Sequence, residues 1–337
     1  MELPRRIPLA MTPTPIEYAE RLSAAWEGPR IWFKRDDLTG FGLSGNKVRK
    51  LEFHLAAAID AGADTIITCG ALQSNHSRAT ALACARLGLR CVLVLRRGCG
   101  EEAIATGNLL LDRLAGADIS YITPEEWDRR DQLLAAEAEA REAGGQRCWV
   151  IPEGASDALG MWGFVLAVRE IADQATAIAG RSPVMWHAAS SGGTTAGIGW
   201  GVNRLGLELP IVACSIGEPG VVVQHKVDAI LSDAAAQLGI DPPRPAIEYN
   251  DAHVGAGYGA VTPEELQVQA EATRLTGLIF DPTYTGKALV GLRREIDAGR
   301  YGPHDNIIFW HTGGGFAVFA HDFTRTAVAA DPGAVDA

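Results

Sequence analysis

The chain has 337 residues, 47% of them hydrophobic, enough for a large core or two smaller ones in one compact body. Its formal net charge of −11 disfavours a nucleic-acid or anionic-membrane surface, since both select clustered Lys and Arg. No apolar run approaches the roughly 18–20 residues of a membrane span, and the opening MELPRRIPLAMTPTP lacks a signal-peptide layout. Cys69, Cys84, Cys91, Cys99, Cys148 and Cys214 form no C-x-x-C pair and no zinc-like cluster. Reduced thiols, a cytoplasmic location and no metal are therefore expected.

The first strand candidate is Arg30–Lys34. After it, Leu43-Ser-Gly-Asn-Lys-Val-Arg-Lys-Leu-Glu52 opens a helix predicted over Asn46–Ala61. Ser44, Gly45 and Asn46 make a turn that can cap that helix. Lys47, Leu51, Leu55 and Ala58 fall on one face of it, whereas Lys50 falls off that stripe. A lysine on an apolar stripe is unusual without a partner or a task. Desolvation and a helix N-terminus both lower its pKa and free the amine to attack an aldehyde. A snorkelling lysine fits this segment equally well.

A strand over Thr65–Cys69 runs through Cys69-Gly-Ala-Leu-Gln-Ser-Asn-His-Ser-Arg78 into a helix over Asn75–Leu87. Ser74, Asn75 and His76 would offer short donors and backbone N–H groups to an anion there, although ordinary N-capping also accounts for Ser74 or Asn75. A strand over Cys91–Leu95 follows. The stretch Pro124–Gln146 is charged and carries a solvated helix over Gln132–Ala143. Strand Trp149–Pro152, helix Trp162–Ala175 and strand Met185–Ala189 come next.

At Ala189-Ser-Ser-Gly-Gly-Thr-Thr-Ala-Gly197 two glycines and four hydroxyls precede a helix over Thr195–Leu205, a pattern suited to a phosphate monoester. It has neither the Lys of a Walker loop nor the dinucleotide spacing. A strand over Ile211–Ile216 and helices over Gln224–Leu238 and Pro263–Leu275 lead to a strand over Leu278–Asp281. There Phe280-Asp-Pro-Thr-Tyr-Thr-Gly-Lys287 brings Tyr284 and Thr285 to the start of a helix over Gly286–Ala298. The last strand, Ile307–His311, ends in Phe309-Trp-His-Thr-Gly-Gly-Gly315, and His311 reads as a core histidine. The first ten residues and Ala327–Ala337 read as weakly ordered tails. Strands alternating with helices of this length indicate parallel sheets covered on both faces, an α/β fold. Composition marks no linker between domains.

Ser44-Gly-Asn-Lys-Val-Arg-Lys-Leu-Glu52, Gln73-Ser-Asn-His76, Asp281-Pro-Thr-Tyr-Thr-Gly-Lys287 and His311-Thr-Gly-Gly314 together resemble the 1-aminocyclopropane-1-carboxylate (ACC) deaminase and D-cysteine desulfhydrase family. That family belongs to the tryptophan-synthase-β-like, fold-type II pyridoxal 5'-phosphate (PLP) enzymes. The resemblance spans about Pro13 to Phe319 and implies a homodimer. Each chain would have a large domain (residues 1–51 and 159–337) with a smaller α/β domain (52–158) inserted in it. It implies that Lys47 binds the aldehyde of PLP and moves protons, that Asn75 meets the phenolic oxygen, and that Ser190, Ser191, Gly192, Gly193, Thr194 and Thr195 hold the phosphate. Ser74 and His76, with Asn75 between them, would receive the substrate carboxylate. Tyr284, beside Tyr258 of Val254-Gly-Ala-Gly-Tyr-Gly259, would stand near the substrate, and Thr285 would face the pyridine nitrogen.

The same resemblance assigns a Tyr-Glu pair at 284–285 to the deaminases and a Tyr-Thr pair, as here, to desulfhydrase-like members. The implied reaction is α,β-elimination on a small amino acid: D-cysteine to pyruvate, hydrogen sulfide and ammonia. ACC, L-cysteate and D-serine are alternative substrates, and a non-catalytic PLP-binding regulator is an alternative of another class. Glu153 and Trp162 depart from the family pattern, so either one, if it lines the pocket, would alter the substrate.

Overall fold

The computed structural model describes residues 3–98, 102–178, 180, 182–255 and 257–320. In chain order the strands are β1 (Ile16–Tyr18), β2 (Arg30–Arg35), β3 (Thr65–Ala71), β4 (Arg90–Arg96), β5 (Asp118–Ile122), β6 (Cys148–Val150), β7 (Val184–Ala189), β8 (Ile211–Ser215), β9 (Ile247–Asn250) and β10 (Asn306–His311). The α-helices are α1 (Glu20–Ala25), α2 (Lys47–Asp60), α3 (Asn75–Leu87), α4 (Gly107–Leu114), α5 (Arg130–Ala143), α6 (Trp162–Gln174), α7 (Gly193–Leu205), α8 (Gly220–Leu238), α9 (Pro263–Thr276) and α10 (Thr285–Asp297).

Two sheets organise them. One has the order β1-β2-β10-β7-β8-β9, the other β5-β4-β3-β6. Every pairing is parallel except β1 with β2. The central strands are apolar on both faces, because helices cover both: all six residues of β10 and all five of β8 are buried. The cap chemistry explains why most helix ends fall close to their predicted positions. Ser74 caps α3 by accepting from the Ser77 N–H, and Gly88 ends that helix in the left-handed region. Thr262 and Glu265 form a capping box on α9, with Pro263 just inside.

Three expectations change. Leu278–Asp281 is extended but joins no sheet, because β10 is already flanked by β2 and β7. Its alternation is real: Leu278 and Phe280 are buried while Ile279 is exposed, and the Ile279 carbonyl accepts from His311 Nε2 (3.0 Å). The opening residues are no loose tail. The buried Glu52 carboxylate needs donors, and it takes Arg6 (2.7 Å) and the N–H groups of Leu9 and Ala10 (2.7 and 2.8 Å). The short edge strands β1, β5 and β9, with helices α1 and α4, are additions. The tail Ala327–Ala337 and Cys99 lie outside the described residues.

Among the described residues no helix is long and apolar enough to cross a membrane, and no group of His, Cys, Asp and Glu could hold a metal ion. The cysteines described are free thiols.

Candidate active site

The carboxyl ends of β3, β7 and β10 meet at one cleft, the place where open α/β sheets bind ligands. It encloses about 690 Å³ including its mouth. Lys47, Ser74, Asn75, His76, Tyr258 and Tyr284 line it, as do Ser190, Ser191, Gly192, Thr194 and Thr195. Segments far apart in sequence thus converge, and each of the five motif regions contributes to the lining. Of the expected site residues, Gly193 and Thr285 do not line it, and both are discussed below.

Lys47 is the first residue of α2. Asn46 precedes it without a side-chain cap; its Nδ2 donates instead to Thr194 Oγ1 across the cleft (3.3 Å). Burial lowers the Lys47 ammonium to about 8, partly offset by Glu153 and Asp281. Its Nζ lies 6.0 Å from the centre of the Tyr284 ring. The apolar stripe of α2 proper is Val48, Leu51, Leu55 and Ala58, and Lys47 sits at its pocket end.

Lying off that stripe does not leave Lys50 in solvent. Helix α2 is buried around most of its circumference, and Lys50 is fully buried. Its Nζ donates to the Gly154 carbonyl (3.2 Å) and to Ser156 Oγ (3.0 Å). Burial, then the charge of Lys47, drives its pKa well down. Periodicity gave no signal for it, because the rule that one helix face is solvated fails here.

Opposite Lys50 stands the start of α7. Gly192 has φ +87°, a conformation that favours glycine. A Cβ on Gly193 would sit 2.7 Å from Ser156 Cα and 2.9 Å from Lys50 Nζ, so a side chain there would fill the cradle. The first backbone bond of this helix runs from Ala196 N–H to the Gly192 carbonyl, so the N–H groups of residues 193–195 lack intrahelical partners. Ser156 and Ser191 share a hydroxyl bond of 2.7 Å at the rim. Three N–H groups, hydroxyls and a buried ammonium form a cradle whose shape and charge fit a phosphate monoester.

On the β3 side, Ser74 Oγ accepts from Ser77 N–H (3.1 Å), which leaves its own proton available. The His76 ring turns inward: Thr68 Oγ1 donates to the Ile151 carbonyl (2.7 Å) and therefore accepts from His76 Nε2 (2.8 Å). Burial and the nearby lysines keep that ring neutral. Its Nδ1 is buried without a partner among the described residues, and residue 76 also stands in the first turn of α3, where backbone N–H groups lack intrahelical partners.

On the β10 side, Tyr284 and Tyr258 share a hydroxyl bond of 2.7 Å with rings edge to face. Burial pushes Tyr258 up to about 12 and Tyr284 well above its usual value, so both phenols are neutral. Thr285 is buried behind this pair and is not part of the wall. Its hydroxyl donates to Asp281 Oδ1 (2.7 Å) and accepts from the Asp281 N–H (2.8 Å). Thr312, which the sequence reading passed over, reaches the wall instead. Glu153 does line the cleft, 3.4 Å from Arg130. Trp162 does not: it packs on Trp200 in the core.

Comparison with known proteins identifies the family. Residues 7–313 match the family described as "Pyridoxal-phosphate dependent enzyme". The chain is 40% identical over 316 residues to a Thermotoga maritima protein described as "Putative 1-aminocyclopropane-1-carboxylate deaminase", covering 94% of this chain and 98% of that one. It is 38% identical over 320 residues to a Salmonella paratyphi A D-cysteine desulfhydrase, covering 94% and 96%. A solved structure of an ACC deaminase homologue superposes with TM-score 0.86 at 35% identity, covering 97% of this chain and 96% of that one. A Rhizomucor miehei L-serine ammonia-lyase shares the fold alone (TM-score 0.61, 17% identity, covering 91% and 94%). The chain belongs to the pyridoxal-phosphate-dependent enzymes of fold type II, as a lyase of the ACC deaminase and D-cysteine desulfhydrase type.

Proposed function

We propose that the enzyme eliminates the β-substituent of a small amino acid, with D-cysteine and water giving pyruvate, hydrogen sulfide and ammonia. PLP, when bound, supplies the aldehyde that captures the amino group and the ring that withdraws electrons from Cα. Lys47 holds the cofactor aldehyde and, with its lowered pKa, takes the Cα proton near neutral pH. The N–H groups of residues 193–195 and the Lys50 ammonium hold the phosphate. Ser74 and the backbone N–H groups of Asn75 and His76 hold the substrate carboxylate. The neutral phenols of Tyr258 and Tyr284 act as donors and can deliver a proton to the departing sulfur; neither is poised as a base.

The observation that carries the choice of substrate is Thr285. It occupies the position where the resemblance assigns a deaminase a glutamate, so residue 285 supplies no carboxylate, and its hydroxyl is bonded to Asp281. A ring without a carboxylate at its nitrogen is the weaker electron sink, which suits a substrate whose leaving group departs with the charge. The same reading takes the chain as a cytoplasmic homodimer with residues 52–158 as the inserted small domain. Ketoacid release from D-cysteine and from ACC, measured side by side, tests the substrate. Faster turnover of ACC would overturn it.

A further inference from the structure

We propose that Arg78 and Asn108 form a relay that fixes which end of the Asn75 amide faces the cleft. The inference rests on the reading of Asn75 as the donor to the cofactor's phenolic oxygen and assigns new positioning residues to it. Arg78 and Asn108 are both fully buried. Arginine can only donate. Its Nε donates to Asn108 Oδ1 (3.0 Å), so the other end of that amide must be Nδ2. Asn108 Nδ2 donates to the Gln73 carbonyl (2.8 Å) and to Asn75 Oδ1 (2.9 Å).

With its oxygen thus occupied, Asn75 must present Nδ2 on its other side, 2.9 Å from where a Cβ on Gly314 would lie. Two amides in series carry the polarity of one guanidinium to the cleft. An asparagine without such a relay can flip, and the two orientations show a ligand opposite charges. The relay is held from outside as well. The Asn108 N–H donates to Gln73 Oε1 (2.8 Å), and the Arg78 guanidinium also donates to the carbonyls of Gly42 and Ser44, in the loop that leads to Lys47. Burial lowers the Arg78 pKa only to about 10, with Asp112 offsetting, so the guanidinium remains a charged donor at neutral pH.

The test uses Asn108→Asp in the full-length enzyme. The new carboxylate still accepts from Arg78 but cannot donate to Asn75, which then turns its oxygen to the cleft. Cofactor dissociation should rise about tenfold or more, and the pH titration of the bound cofactor's visible absorbance should shift upward because the phenolic oxygen loses its donor. In an Asn75→Ala background the same change at 108 should add nothing, since the relay has no end to turn. If Asn75→Ala alone leaves affinity and titration unchanged, the reading of Asn75 is wrong. If Asn75→Ala moves them and Asn108→Asp does not, or if the two effects simply add, the relay is wrong. Should Asn108→Asp fail to fold, Arg78→Gln and Arg78→Met replace it. Both lose the bonds to Gly42 and Ser44, but only Gln keeps an N–H at the chain length of Nε. The relay requires Arg78→Gln to retain the cofactor better than Arg78→Met, and equal retention would overturn it.

Discussion

Helix α2 carries charges on two sides, and the two sides are finished differently. Behind the helix, Arg49 grips Asp36 through two bonds of 2.8 Å and Glu170 through bonds of 2.7 and 3.0 Å. Lys34 adds bonds to Glu170 (2.8 Å), Gln174 (2.9 Å) and the Thr14 carbonyl (2.6 Å). On the cleft side, among the described residues, Lys47 and Lys50 have no carboxylate in salt-bridge contact, and burial lowers the pKa of both, as it does that of Lys34. One side spends its charges on fixing β2, α2 and α6 together. The other leaves them unpaired with any carboxylate, where the proposed function puts the cofactor. A buried charge that is fully paired is a matter of structure, whereas one left short of partners marks a site.

Four substitutions and one pH series break or sharpen that contrast, from the largest effect down. Lys47→Ala should abolish both the borohydride-reducible cofactor adduct and turnover; an adduct and turnover that persist would remove the site assignment. Arg49→Met leaves Asp36 and Glu170 buried without their partner, so stability should fall by about 3–5 kcal/mol in urea unfolding. Tyr284→Phe should bind cofactor normally but lose about 10–100-fold in kcat, as expected for a lost proton donor. Lys50→Met should weaken cofactor binding about tenfold or more, one charge-assisted bond's worth. The same change should raise the thermal midpoint of the cofactor-free protein, because it removes an amine buried without an acidic partner beside another lysine. An opposite sign would mean that Lys50 belongs to the structural side. The smallest effect is on pH. Only the free amine attacks an aldehyde, and the folded Lys47 is lowered to about 8. The rate of cofactor capture should therefore climb as pH rises through about 8, rather than near the ordinary lysine value.

The same contrast explains what the sequence could and could not reveal. Helices such as α3 announce themselves through Ser74 at the start and Gly88 past the end, and both signals are local. Lys47 drew notice because a lysine opening an apolar helix is unusual, although that segment alone fits a snorkelling lysine equally well. Lys50 was not, since its burial depends on Gly154 and Ser156 about a hundred residues away. Leu278–Asp281 has the alternation of a strand but pairs with none, because the neighbours it packs beside, β10 above all, already have partners on both sides, and that is a property of the assembled fold. The inward turn of the His76 ring depends on Thr68 and the Ile151 carbonyl, and the absence of Thr285 from the wall depends on Asp281. Residue type proposes a role; the partner decides it.

The register of the larger sheet has a consequence for how the protein is made. Residue 30 on β2 pairs with residue 306 on β10, while β3, β4, β5 and β6 all lie between residues 65 and 150. As the chain leaves the ribosome, the four-stranded sheet is complete long before β2 meets its parallel neighbour. Lys47 emerges early, but the cradle at residues 193–195 and the wall at Tyr284 and Thr312 do not yet exist. Ribosome-bound chains halted before β10 should therefore protect the four-stranded sheet from protease and take up no cofactor, so capture reports that synthesis has passed the last strand.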